Sequence, residues 1–323
     1  MRPPDHWHLR QRRRQPLAFT LMAAGSVLFL IVIVWALWPS GGSSRPAIAP
    51  AAQVAECAGG GLCVGPAGMA YAGAVAPPAV RAAAAVVEEQ PCGVELYAKN
   101  PDVQRAPASL TKLATAIVAV ERADLNETVV VDVNSALLVA SSGSTVMGLE
   151  PGQRMSMRDL LYGLLLPSGN DAAIAIAQSV GGTVPAFVDL MNLKARELGL
   201  MRTHFANPHG LDEAGLYTTA RDIIKLGGAA VADREIAQIV ATSRYQPSWQ
   251  GGELWNSNVL LSQYPGEVIG VKIGYTEGAG QTMAAAVQRD GRLLLISVLG
   301  SSARYADVTS LFEWAFANTA SAC

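Results

Sequence analysis

The chain has 323 residues, half of them hydrophobic and 15% charged, with a formal net charge of −2. That length and apolar content support one large domain with attachments and a sizeable core. No basic patch with interleaved aromatics occurs beyond the N-terminus, which argues against nucleic acid as a partner.

In the first 14 positions Arg2, Arg10, Arg12, Arg13 and Arg14 stand against Asp5 alone, leaving 19 basic and 25 acidic residues for the rest. Residues 1–16 therefore read as a basic arm. Residues 17–38, LAFTLMAAGSVLFLIVIVWALW, carry no charge. At 1.5 Å per residue such a helix spans roughly 33 Å, enough to cross a bilayer core. Trp35 and Trp38 near one end suit an interface, and the arginines before the span place the arm in the cytoplasm and the remainder outside. A cleaved signal peptide, with AIA at 47–49 as the cleavage site, is the competing reading, although signal segments are usually shorter. Either way the bulk of the chain is expected to be extracytoplasmic.

Residues 39–87 are dominated by Ala, Gly, Pro and Ser and read as a flexible stalk. The four cysteines, Cys57, Cys63, Cys92 and Cys323, suit an oxidising compartment. Their connectivity does not follow from spacing, and a Cys57–Cys63 bridge is one option. From residue 88 onward strand and helix signals follow densely. GVELYAKN (93–100) predicts a strand. ASLTKLATAIVAVE (108–121) predicts a core helix, with Leu110, Leu113, Ala114, Ile117, Val118 and Val120 at helical spacing. TVVVDV (128–133) is a short extended run. Ser156 with Asp159, and Thr219 with Asp222, predict helix starts. VIGVKIGYT and TMAAAVQRDGRLLLISVLG read as three strands, the last two joined at Asp290-Gly291, and RYADVTSLFEWAFAN as a closing amphipathic helix. The fold class is therefore α/β (α+β), an antiparallel sheet covered by helices on both faces.

Three short motifs stand out against this frame. Lys112 lies on a buried helix three residues after Ser109, so the two share a face. The helix dipole and an apolar pocket both disfavour the ammonium, and a neutral amine beside a hydroxyl is a general base beside its nucleophile. Taken alone, an exposed lysine near an incidental serine is the plainer reading. Pro167-Ser168-Gly169-Asn170 breaks a strongly apolar helix, and its small polar residues must face a cleft or go unsatisfied. The plain alternative is a helix–helix turn. Lys272 and Gly274 sit on a strand otherwise free of charge, where a glycine often marks close backbone approach to a ligand. An ordinary edge-strand lysine explains the pair equally well in isolation.

Together, Ser-x-x-Lys, Ser-x-Asn and Lys-x-Gly in this order resemble the signature of penicillin-recognising serine enzymes. The longer stretches YAKNPDVQRAPASLTKLATA, LLLPSGNDAAIAIA, HFANPHGLDEAGLYTTARD and VKIGYTEGAG resemble the D-alanyl-D-alanine carboxypeptidase family, the low-molecular-mass penicillin-binding proteins, over roughly residues 92–316. The resemblance implies a β-lactamase/transpeptidase-like fold with a helical subdomain in a domain spanning 88–323. It implies Ser109 as the acylated nucleophile, Lys112 as its proton acceptor and Ser168 as a proton relay. Asn170, Lys272, Gly274 and Tyr275 would bind substrate, with the backbone N–H groups of Ser109 and Tyr275 as oxyanion hole, each such donor worth about 3 kcal/mol. The implied substrate is a peptidoglycan stem peptide, the implied covalent inhibitors are β-lactams, membrane contact runs through the N-terminal helix, and no metal or cofactor is implied.

The family has Lys-Thr-Gly where this chain has Lys272-Ile273-Gly274. The isoleucine offers no hydrogen bond to a substrate carboxylate, a contact worth about 1.5–3 kcal/mol. That substitution keeps two alternatives in play: an endopeptidase acting on cross-links, and a peptidoglycan-binding protein with little turnover. The family's C-terminal β domain and amphipathic tail do not follow the closing helix, so the N-terminal span is expected to serve as anchor. A class A β-lactamase would need a glutamate followed by asparagine four residues on, and neither Glu197 nor Glu213 supplies it. His204 and His209 suggest a metal or a triad at first sight, and the resemblance makes them part of a structural loop.

Overall fold

Alternating apolar residues in five long strands build a sheet with both faces covered. The computed structural model describes residues 56–57, 63–65, 69–73, 75–249 and 251–323. The strands of the main sheet are β1 (Glu56–Cys57), β2 (Cys63–Gly65), β3 (Met69–Tyr71), β4 (Ala84–Gln90) and β5 (Val94–Lys99). A 3-10 turn at Ala108–Leu110 leads into α1 (Thr111–Arg122), followed by β6 (Thr128–Val130), α2 (Ser135–Ser142), β7 (Arg154–Ser156) and α3 (Met157–Leu165). Then come α4 (Asn170–Gly181), α5 (Val184–Glu197), α6 (Ala220–Ala232) and α7 (Arg234–Ala241). The small strands β8 (Arg244–Tyr245) and β9 (Leu254–Trp255) and the short α8 (Leu260–Gln263) precede β10 (Val268–Thr276), β11 (Gly280–Arg289), β12 (Arg292–Ser301) and α9 (Arg304–Asn318). The eight-stranded sheet runs β1-β2-β3-β5-β4-β12-β11-β10, every neighbour antiparallel.

Strand periodicity divides the core in two. On β12, Leu295 and Leu299 join the cluster beneath α1 and α3–α7, whereas Leu294, Ile296 and Val298 join the cluster beneath α8 and α9. β4 divides the same way, with Ala84 and Val86 on one side and Ala85 and Val87 on the other. Burial on both faces explains why these strands read as continuous apolar runs. The turn at Asp290-Gly291 is a two-residue hairpin, with Arg289 opposite Arg292 and positive φ at both turn residues. The helix starts behave as their sequences require. Ser156 caps α3 by accepting from the Asp159 amide, and Thr219 caps α6 by accepting from the Asp222 amide.

The stalk ends earlier than composition suggests. β1, β2, β3 and most of β4 fall within residues 39–87, and the domain boundary expected at residue 88 cuts through β4. Ala84 to Val87 are fully buried and pair with β12 from Ala84 opposite Leu299 to Val87 opposite Ile296. Small residues that resemble a linker are what a strand needs when helices press on both its faces. The basic arm, the 17–38 span, the AIA site and most of the stalk lie outside the described residues. Among the described residues no single helix is long and apolar enough to cross a membrane. Cys57 and Cys63 face each other in the β1–β2 register, and their side chains lie outside the described residues. Cys92 and Cys323 form a disulfide.

Candidate active site

The turn carrying Ser109 is set before α1 begins. Sequence spacing put Ser109 in the first turn of the helix; the structure puts it in the separate 3-10 turn, after Ala108 with φ +51°. A left-handed alanine costs on the order of 1–2 kcal/mol and persists where surroundings over-determine it. Here three elements do so. Thr282 Oγ1 on β11 donates to Pro107 O at 3.1 Å. A Cβ on Gly274 of β10 would lie 2.7 Å from the Ser109 nitrogen, and one on Gly210 would lie 1.9 Å from Ala108 O. The backbone that approaches Gly274 closely is the Ser109 turn of the chain itself.

Lys112 is fully buried one helical turn on. Its Nζ lies 3.1 Å from Ser109 Oγ, 2.7 Å from Asn170 Oδ1 and 2.7 Å from His209 O. Burial drives its amine well below the usual lysine value, the positive charge of Lys272 pushes the same way, and Asp171 opposes both. Burial and then Lys112 push the His209 imidazole down to about 4, so it is neutral near pH 7. The histidine that reads as loop in the sequence thus meets the base through its carbonyl, not its ring.

The break between α3 and α4 supplies the second motif. Ser168 adopts φ +68°, and its buried Oγ has no hydrogen-bond partner among the described residues. Such a hydroxyl costs free energy unless something else uses it. Asn170, 5% exposed at the start of α4, places Oδ1 on Lys112 and donates its Nδ2 to Ser144 Oγ at 3.0 Å. Asp171 is completely buried and accepts from Ser135 Oγ and from the amides of Met147, Gly148, Leu149 and Ala172. It fixes the loop that carries Ser144. Local sequence does not reveal this role, because the partners that Asp171 gathers from other elements lie 22 to 36 positions upstream.

On β10, Lys272 is 2% exposed and donates to Ile273 O at 3.1 Å; burial and then Arg304 lower its amine to about 7. Ile273 stands opposite Met283 and belongs to the apolar cluster beneath α8 and α9. Tyr275, next to Gly274 on β10, has an exposed side chain. Arg304, at the start of α9, escaped the sequence reading. Its Nη1 donates to Gly274 O at 2.6 Å, while its Nε is buried without a partner among the described residues. No periodicity reveals it, since it reaches β10 only by tertiary packing. The structure therefore joins Ser109, Lys112 and Asn170 by direct contact and sets Gly274 against Ser109. Lys272 lies close enough to Lys112 for charge to be felt, and Ser168 presents a free hydroxyl. The arrangement provides a nucleophile, a base able to be neutral, and cations suited to an anionic ligand.

Over residues 72–303 the sequence matches the family described as D-alanyl-D-alanine carboxypeptidase. It is 38% identical over 256 residues to the D-alanyl-D-alanine carboxypeptidase DacB2 of Mycobacterium tuberculosis, covering 76% of this chain and 86% of that protein. It is 36% identical over 242 residues to DacF of Bacillus subtilis, covering 73% of this chain, and it spans 62% of DacF's length. The solved D-alanyl-D-alanine carboxypeptidase of Mycobacterium tuberculosis superposes with a TM-score of 0.71 at 36% identity, over 77% of this chain and 96% of that one. The Streptomyces K15 DD-transpeptidase superposes with a TM-score of 0.71 at 31% identity, over 75% of this chain and all of that one.

Proposed function

This chain belongs to the D-alanyl-D-alanine carboxypeptidase family, and from that premise we propose that it removes the terminal D-alanine of peptidoglycan stem peptides through an acyl-enzyme on Ser109. The observation that carries the proposal is the 3.1 Å contact between Ser109 Oγ and the amine of Lys112, whose hold on its proton burial weakens well below the usual lysine value. Ser109 Oγ attacks the carbonyl carbon between the two D-alanines while its proton passes to Lys112. The C–N bond breaks, the leaving amine takes a proton through the free Ser168 hydroxyl, and D-alanine departs. Water then cleaves the ester. The amides of Ser109 and Tyr275 receive the oxyanion. Asn170 positions the peptide, and Lys272 and Arg304 attract its terminal carboxylate, which Ile273 cannot bind. β-Lactams acylate the same serine.

The same reading places residues 17–38 in the membrane with residues 1–16 in the cytoplasm and the catalytic domain outside, next to its substrate. The Cys92–Cys323 disulfide suits that oxidising side. The test uses the full chain, Ser109→Ala and Lys112→Ala, each with a fluorescent penicillin and with a pentapeptide ending in D-Ala-D-Ala. Labelling and D-alanine release by the wild type, both lost in the two variants, is the expected result. Labelling without release would replace the carboxypeptidase with an endopeptidase or a binding protein. Labelling that persists in Ser109→Ala would remove Ser109 as nucleophile.

A further inference from the structure

We infer that Asn207 is a positioning residue for proton transfer from Ser109 to Lys112, acting through the carbonyl oxygen of His209. The inference rests on the reading of Ser109 as nucleophile and Lys112 as base. A neutral amine has two N–H donors and one lone pair. Asn170 Oδ1 and His209 O, both at 2.7 Å from Lys112 Nζ, can only accept, so they take the two N–H groups. The lone pair is left facing the Ser109 hydroxyl at 3.1 Å, the direction a base requires. Without either carbonyl the amine turns freely and the lone pair loses its aim. Asn170 is held by α4, whereas His209 lies in an irregular segment with no ladder to fix its carbonyl.

That segment is folded around the Asn207 carboxamide. Asn207 is 5% exposed, and each end of its amide is used twice. Its Oδ1 accepts from Gly210 N at 2.7 Å and His209 N at 3.3 Å; its Nδ2 donates to Glu213 Oε2 at 2.8 Å and Leu211 O at 3.0 Å. The result is a reversal through Gly210, at φ +92°, that turns Pro208 O and His209 O toward α1. There Thr115 Oγ1 donates to Pro208 O at 2.6 Å and Lys112 to His209 O. Glu213, which catalyses nothing in this arrangement, anchors the amide that aims the base.

The experiment measures acylation of the full chain by a fluorescent penicillin, separating the saturating rate constant from non-covalent affinity, across pH. The charged and titratable groups around Lys112 are Lys272, Asp171 and the neutral His209 ring, and none is altered. Asn207→Ala is expected to slow acylation on the order of 10²-fold, with affinity within about twofold. Its acid limb is expected at lower pH, because an acceptor that favours the ammonium has moved away. Asn207→Asp keeps the two acceptor bonds but sets a carboxylate against Glu213, and is expected to be slow. Adding Glu213→Gln supplies a donor to that carboxylate and should recover most of the rate. Wild-type rates with an unmoved acid limb in folded Asn207 variants, or a loss confined to affinity, would overturn the inference. If Asn207→Ala does not fold, Asn207→Asp with and without Glu213→Gln decides by the same readouts. A wild type that fails to acylate, or a Ser109→Ala variant that succeeds, strikes the underlying reading instead.

Discussion

In the proposed mechanism two buried lysines set the chemistry at the level of single residues, and their environments pull them apart. Both lose affinity for the proton by burial; Lys112 falls well below its usual value and Lys272 to about 7. Acylation should therefore rise with pH as Lys112 becomes neutral, then fall above pH about 7 as Lys272 discharges, to a plateau that Arg304 sustains. Stability should move the opposite way over that upper range. Between about 7 and the usual lysine value near 10.5 the unfolded chain holds a proton on Lys272 that the folded chain lacks, so folding strengthens as pH rises. A pH–rate profile of penicillin acylation beside thermal melts at the same pH values checks both, and parallel curves would contradict the assignment. Ser109, Lys112, Ser168, Asn170 and Lys272 stand out as candidates in the sequence because each falls in a short motif of unusual polarity on an apolar element. Arg304, Asp171 and Asn207 were not, because their roles depend on partners far along the chain.

Elements owe their placement to a few polar side chains that bridge them. The N-terminus of α4 is the main junction: Asp171 gathers α2 through Ser135 and the loop before β7 through Met147, Gly148 and Leu149. Its charge also suits the positive end of the helix. Asp171→Asn keeps one oxygen and loses the charge, leaving backbone donors unpaired. The expected cost is about 3 kcal/mol, read as a Tm lower by roughly 6–12 °C. Because Asp171 also favours the Lys112 ammonium, the acid limb of acylation should shift to lower pH in the same variant. A melt unchanged within a degree would refute the bridging role. The helix starts at Ser156 and Thr219 and the Asp290-Gly291 turn were legible as local chemistry. The 3-10 turn at Ser109 was not, since Gly274, Gly210 and Thr282 impose it from outside.

Across the whole molecule, the two ends of the sheet do different work. The Pro107–Ser109 turn sits against Gly274 and Thr282, near the β10–β11 turn. At the opposite end, Arg292 holds the fully buried Glu89 at 2.8 and 2.9 Å and also reaches Thr319. Ser321 and Ala322 donate to the same carboxylate, and Cys323 is bonded to Cys92 in the β4–β5 turn. The closed loop spans 231 positions, and disulfides of this kind typically contribute about 2–4 kcal/mol. Replacing both Cys92 and Cys323 with serine is expected to lower Tm by roughly 5–15 °C while penicillin labelling at 25 °C persists. Loss of labelling in the folded variant would show that the tie reaches the site.

The sequence by itself determined the family, the three short polar motifs, the helix starts and the strands β10–β12, because each is written in short local stretches of residues. Only the tertiary structure decided where the sheet begins, what aims the Lys112 lone pair and which cysteine meets Cys323. Those features depend on burial and on contacts between residues up to 231 positions apart, and neither periodicity nor spacing carries that information.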